Sequence, residues 1–138
     1  MEHLESAREA LSRLGITATT PRLVIANILY ERQEHPTAKE ILRYTQEKLP
    51  VVAPATVYNT LNLFVEHGFI HELRLGDEGS VRYDINTDPH HHLLDKESGQ
   101  VLDLPFDSVQ ISNLEELERE YSLQRISVTI EGKIPRRS

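Results

Sequence analysis

The sequence predicts an α+β chain in two parts: a helical part closed by a β-hairpin, then a shorter β-α-β part. Three observations predict it. Capped apolar repeats at helical spacing run as far as Gly68. Short alternating segments replace them after Gly68. A polar Asn-Thr-Asp-Pro stretch at 86–89 then divides those segments into two groups.

The first helix follows from Leu4, Ala7, Leu11 and Leu14, with Gly15 as its stop. "TTPRLVIANILYERQ" predicts a second, with Thr20 as N-cap, Pro21 at the first helical position and Leu23, Val24, Ile28 and Leu29 facing inward. "HPTAKEILRYTQEKL" carries Thr37 and Glu40 at capping-box spacing before Ile41, Leu42, Tyr44 and Leu49. "APATVYNTLNLFVEHG" puts Pro54 at the first position, repeats Val57, Leu61, Phe64 and Val65 on one face, and ends at Gly68. "FIHELRL" and "SVRYDIN" alternate and are joined by Gly76-Asp-Glu-Gly79, which predicts a hairpin with a four-residue loop. Helices followed by a hairpin is the order of a winged helix, though not of that fold alone.

Beyond the linker, "HHHLLD" and "QVLDLP" flank Lys96-Glu-Ser-Gly99 as a second hairpin. Ile111, Leu114, Leu117 and Tyr121 predict a helix, and "LQRISVTIEG" a last strand. A unit of this size buries little surface alone, so a second copy is expected to complete its core as a homodimer. The domains are then a winged helix-turn-helix part at 1–85, a linker at 86–89 and a small α/β dimerisation and metal-binding part at 90–138.

Composition limits the function. The chain has 138 residues, 38% hydrophobic and 27% charged, which excludes a disordered chain. No apolar run approaches the ~20 residues of a membrane span. "MEHLESAREAL" lacks the apolar core of a signal peptide, so a cytoplasmic location and no membrane partner are expected. There is no cysteine, hence no disulfide and no Cys-based zinc site within this sequence. The formal charge of −7 argues against nucleic acid as a partner. Residues 1–85 hold 9 basic and 12 acidic side chains, and 86–138 hold 6 and 10. Any DNA-binding surface is therefore a local basic stripe on an acidic body.

"PHHHLLDKESGQVLD", at 89–103, carries the chemistry. Alternate residues of a strand share a face, so His90 and His92 point together and His91 points away. Imidazoles at i and i+2 can chelate one ion. Asp103 falls on the partner strand, Asp84 ends the first hairpin, and His35 stands before Pro36. Taken one at a time, the histidine run also reads as a solvated loop and each carboxylate as a surface group.

From Thr20 onward the chain resembles the ferric uptake regulator (Fur) family of bacterial metalloregulators. The likeness lies in T-x-P-R at Thr19 to Arg22, "HPTAKEI" from His35, "ATVYNTLNLF" from Ala55, "GFI" from Gly68, "RYD" at Arg82 to Asp84, and "HHHLL…SGQVLD" at His90 to Asp103. It implies a winged-helix DNA-binding domain, a dimerisation domain and a regulatory metal between them. It places the ligands on His35, Asp84, His90, His92 and Asp103. Asp at both carboxylate positions, and Asn59 where many relatives carry Arg, is similar to the peroxide-sensing branch (PerR).

Three imidazoles and two carboxylates make a mixed nitrogen and oxygen set suited to Fe²⁺ or Mn²⁺, although Zn²⁺ can bind it in vitro. The resemblance implies that iron and peroxide add oxygen to His35 or His90. It also implies a structural zinc in many members, held by two Cys-x-x-Cys pairs. Here the first pair falls on Asp95 and Ser98, and "EGKIPRRS" supplies no second, so no structural Cys₄ zinc is expected. His91 is expected not to be a ligand, and Ile126 stands where some relatives have a further metal-binding histidine.

Double-stranded operator DNA is the expected partner. Ala55, Thr56, Tyr58 and Asn59 occupy the first turns of the recognition helix, where base edges are met. Asn59 suits adenine, and Arg22 a phosphate, with Arg13 or Arg74 as further candidates. The reading is a metal-dependent repressor sensing hydrogen peroxide, and not an enzyme. One alternative is an iron- or manganese-responsive repressor of the same fold that does not sense peroxide. Another is a mononuclear-iron enzyme using two histidines and a carboxylate, which would leave the winged helix without a use.

Overall fold

A computed structural model describes residues 5–33, 35–75 and 81–135. The chain divides into two compact units, 1–87 and 88–138.

In the first unit, α1 (Ala7–Arg13), α2 (Thr20–Glu31), α3 (Ala38–Lys48) and α4 (Pro54–Glu66) precede a hairpin of β1 (His71–Arg74) and β2 (Val81–Asp84). Ser6 caps α1 through Glu9 N–H at 3.1 Å, and Gly15 leaves it at φ +76°. That left-handed backbone is open to glycine at little cost. The N-cap of α2 is Thr19, not Thr20. Thr19 is extended and its Oγ1 accepts from Arg22 N, which places Pro21 one position further in. Thr37 and Glu40 form the capping box of α3. Ala53 offers α4 no side-chain cap, and Pro54 occupies N1, where its missing N–H has no partner to lose.

The core of this unit gathers Leu11, Ile25, Leu29, Ile41, Val57, Leu61, Phe64 and Ile70, all fully buried, with Phe69 edge-on to Phe64 at 5.0 Å and to Tyr30 at 5.8 Å. Each large side chain so buried contributes roughly 1.5–3 kcal/mol. β2 pairs antiparallel with β1, His71 opposite Asp84, and on its other side touches the start of α3 through a Thr37–Arg82 bridge. The expected turn at Gly76 to Gly79, and Leu4 of the first helix, lie outside the described residues.

In the second unit, β3 (His90–Leu94) pairs antiparallel with β4 (Val101–Pro105), His92 opposite Asp103. A 3₁₀ turn (Phe106–Ser108) and α5 (Leu114–Glu120) lead to β5 (Thr129–Glu131), which lies parallel to β3 on its free side. The expected helix and last strand both form but are short: the helix has seven residues, and the strand pairs over three. Both have little to pack on: no residue of α5 or β5 is buried, and Tyr121, Leu123, Ile130 and Leu102 are exposed. Lys96 reaches Glu131 at 3.1 Å and Lys133 reaches Glu97 at 3.6 Å, while Asp95 is buried among backbone amides. No helix among the described residues is long and apolar enough to cross a membrane.

Candidate metal centre

The first unit brings His35 and Asp84 together. Both are 3% exposed, and His35 Nε2 lies 3.5 Å from Asp84 Oδ2. Asp84 Oδ1 accepts the Asn86 N–H at 2.9 Å, which leaves Oδ2 for the imidazole. His35 reaches this position through a left-handed backbone, φ +65°, immediately before Pro36. Such a conformation in a residue other than glycine costs about 1–3 kcal/mol and is found where surrounding structure enforces it. His71, which the sequence reading passed over, stands directly across the ladder from Asp84. Directly opposite residues share a face.

The second unit brings His90, His92 and Asp103 together. The rings of His90 and His92 lie 4.6 Å apart, and each Nε2 is 3.6 Å from Asp103 Oδ1. His90 Nδ1 donates to the Asp88 carbonyl, so in the neutral ring Nε2 carries a lone pair. His92 Nδ1 faces the Ser127 hydroxyl at 3.4 Å. Fixing one ring nitrogen from behind and presenting the other is how proteins prepare an imidazole for a metal. His90 and His92 are buried, while Asp103 is 37% exposed at its side chain.

The distances discriminate between a hydrogen bond and a coordination edge. A charge-assisted N–H···O bond is about 2.7–2.9 Å long. Donors bound at about 2.0–2.2 Å from one ion stand roughly 3.0–3.5 Å from each other. The 3.5 and 3.6 Å separations are too long for the first case and lie at the upper edge of the second. A lone pair facing a carboxylate oxygen is stabilised by a cation between them. The residues present therefore fit a divalent ion, with nitrogen and oxygen donors and no sulfur.

His91 faces elsewhere. It is fully buried, accepts Val128 N–H at Nδ1, and meets the Phe106 carbonyl at Nε2.

On α4, Ala55, Tyr58 and Asn59 are exposed and Thr56 is half-buried. Arg22 and Thr19 join Thr56 and Asn59 along a surface cavity of about 350 Å³. Arg22 Nη1 donates to the Thr17 carbonyl at 2.8 Å, which directs its guanidinium across the start of α2. Arg13 is engaged by Glu5 through two bonds of 2.7 and 2.9 Å. Val51, 97% exposed in the turn before α4, was absent from the sequence reading. An apolar residue in a loop gives no periodic signal by which to single it out.

A fold of four helices and a wing, with these histidine and aspartate groups, defines a metal-responsive DNA-binding regulator. The chain belongs to the ferric uptake regulator family, whose sequence profile matches residues 13–131. It is 35% identical over 114 residues to the peroxide-responsive repressor PerR of Staphylococcus epidermidis (strain ATCC 12228 / FDA PCI 1200), covering 83% of this chain and 74% of that one. The solved Campylobacter jejuni peroxide stress regulator aligns over the whole of both chains at 26% identity with a TM-score of 0.70. A zinc-bound manganese uptake regulator aligns over 93% of this chain and 99% of its own, at 26% identity and a TM-score of 0.66.

Proposed function

We propose that the protein is a homodimeric, metal-dependent repressor that releases operator DNA when hydrogen peroxide oxidises a ligand histidine. The observation that carries this is the matched pairing of imidazole Nε2 with Asp oxygen in both units, at 3.5 and 3.6 Å. The likeness to peroxide-responsive repressors supports the sensing role.

In this reading His35, Asp84, His90, His92 and Asp103 hold one divalent ion. Two carboxylates neutralise its charge, which favours a partly buried site. A bound Fe²⁺ would activate peroxide beside these residues, so that one peroxide oxygen enters a histidine ring and the other leaves as water, whereas Mn²⁺ would be held by the same residues without that reaction. His35 and His90 are the groups that take up oxygen. Either, once oxidised, loses its Nε2 as a donor. The ligands then no longer hold residues 1–87 and 88–138 in one arrangement, and two recognition helices no longer match two half-sites.

The second unit's own surface supports dimerisation. Leu102, Tyr121, Leu123 and Ile130 are exposed on an element set that buries none of α5 or β5. A second copy covers such a patch. Ala55, Thr56, Tyr58 and Asn59 present an uncharged helix face to bases, and Arg22 takes a phosphate.

The test is peptide mass analysis after loading with Fe²⁺ or Mn²⁺ and adding peroxide. Peptides containing His35 or His90 gain one oxygen with Fe²⁺ alone, and operator binding is lost in step. Metal-dependent DNA binding that survives peroxide, with no mass gain, would instead leave an iron- or manganese-responsive repressor that does not sense peroxide.

A further inference from the structure

His35 is the one residue other than glycine with positive φ among the described residues. Its neighbour makes this harder, because a residue before proline is driven toward extended backbone. The local sequence therefore does not choose the conformation that brings its imidazole to Asp84.

Strand β2 supplies what does. Tyr83 N–H donates to the Pro36 carbonyl at 2.9 Å. Arg82 forms an isolated antiparallel bridge with Thr37, and its Nη1 donates to the His35 carbonyl at 3.2 Å. Asp84, two residues further along, faces His35 Nε2 with Oδ2. The strand that carries the carboxylate thus also carries the clamp on the histidine's backbone. Of the contacts to the backbone of residues 35–37, the Arg82 guanidinium is the one that β2 makes with a side chain. It donates through a charged N–H, stronger than a neutral bond to the same oxygen.

We propose that Arg82 is a positioning residue of the metal centre, holding the His35–Pro36 turn left-handed so that Nε2 of His35 meets Asp84. The proposal rests on the reading of His35 as a ligand. Without the guanidinium, the turn relaxes toward the extended form that Pro36 favours, and the imidazole leaves Asp84. Arg82 touches no metal in this scheme and acts only through His35.

The test is Mn²⁺ affinity of the full chain, read from the free-ion electron paramagnetic resonance signal. Arg82→Met should weaken binding about 10- to 100-fold, the usual effect of losing a group that orients a ligand. Arg82→Lys, which keeps a charged donor, should recover part of it. Pro36→Ala lifts the pre-proline restriction and should also restore part of the affinity of Arg82→Met. In a His35→Ala background, Arg82→Met should change affinity by less than about twofold, because its route of action is gone. An equal loss in both backgrounds overturns the proposal. Unchanged affinity on His35→Ala alone overturns the underlying ligand assignment instead. Should Arg82→Met fail to fold, Arg82→Gln and Arg82→Lys carry the same comparison.

Discussion

His91 and Val128 are joined side chain to backbone: the imidazole Nδ1 accepts the Val128 N–H at 2.8 Å. An accepting Nδ1 is bare, so in the neutral ring Nε2 bears the proton and donates it to the Phe106 carbonyl at 3.1 Å. The ring stacks on Phe106 at 4.8 Å and is fully buried. The middle histidine therefore fastens the approach to β5 and the 3₁₀ turn onto β3, on the face opposite its two neighbours.

His91→Leu should accordingly cost stability and leave metal binding largely intact. The substitution strands a part-buried N–H and a part-buried carbonyl, each of which costs at most about 1–3 kcal/mol if left without a partner. Urea unfolding monitored by circular dichroism should show a lower midpoint with an unchanged slope, while Mn²⁺ affinity moves by only a few-fold. A large drop in affinity without a drop in stability would contradict this division of labour.

His92→Ala should do the reverse. His92 is fully buried with its Nε2 directed at Asp103, and no other imidazole stands opposite Asp103 in the β3–β4 ladder. In the proposed site, removal should lower Mn²⁺ affinity by on the order of 100-fold, at least the effect of losing a supporting group. Competition against a chromogenic chelator checks it. Equal effects of His92→Ala and His91→Leu would refute the proposed facing of the strand.

How much of this was legible depends on the range of the interaction. The helix starts at Thr37 and Pro54 are local chemistry and can be read from a few residues. Thr19 and Thr20 differ only in which one the chain leaves extended, so the cap is misread by one place. The common face of His90 and His92 follows from strand periodicity, and the register opposite Asp103 from a short turn. The left-handed backbone of His35 is enforced by Arg82 and Tyr83, 47 residues away, and no local signal announces it. Alternation in "LQRISVTIEG" suggested a long strand, but it cannot say how many residues find a neighbour.

Thr37→Val should destabilise the first unit by about 1 kcal/mol, because it removes the hydroxyl that accepts Glu40 N–H at 3.2 Å at the N-terminus of α3. The Glu40 carboxylate, which accepts Thr37 N–H at 3.0 Å, keeps the other half of the box. Thermal unfolding should fall by several degrees. Thr37→Ser, which retains the hydroxyl, should recover most of the loss.

Asp95 sets a pH dependence of known sign. Its Oδ2 accepts Ile134 N–H at 3.0 Å, and its Oδ1 accepts those of Glu97 and Ser98 at 3.0 and 3.4 Å. These amides, Ile134 first, outweigh desolvation and hold the carboxyl below its ordinary value. A depressed folded pKa means the unfolded chain takes up protons first. The stabilisation is then complete above the unfolded value of about 3.9 and is lost as pH falls through the lower folded value. Asp95→Asn keeps one accepting oxygen but not the charge. The difference in urea midpoint between the two proteins should be constant from neutral pH down to about 5 and should shrink below about 4. The protection of the Ile134 amide, its exchange rate relative to the intrinsic rate at each pH, should fall over the same acid range in the unsubstituted protein. A midpoint difference that persists unchanged into that range would show that the carboxylate's charge does not hold the segment after β5.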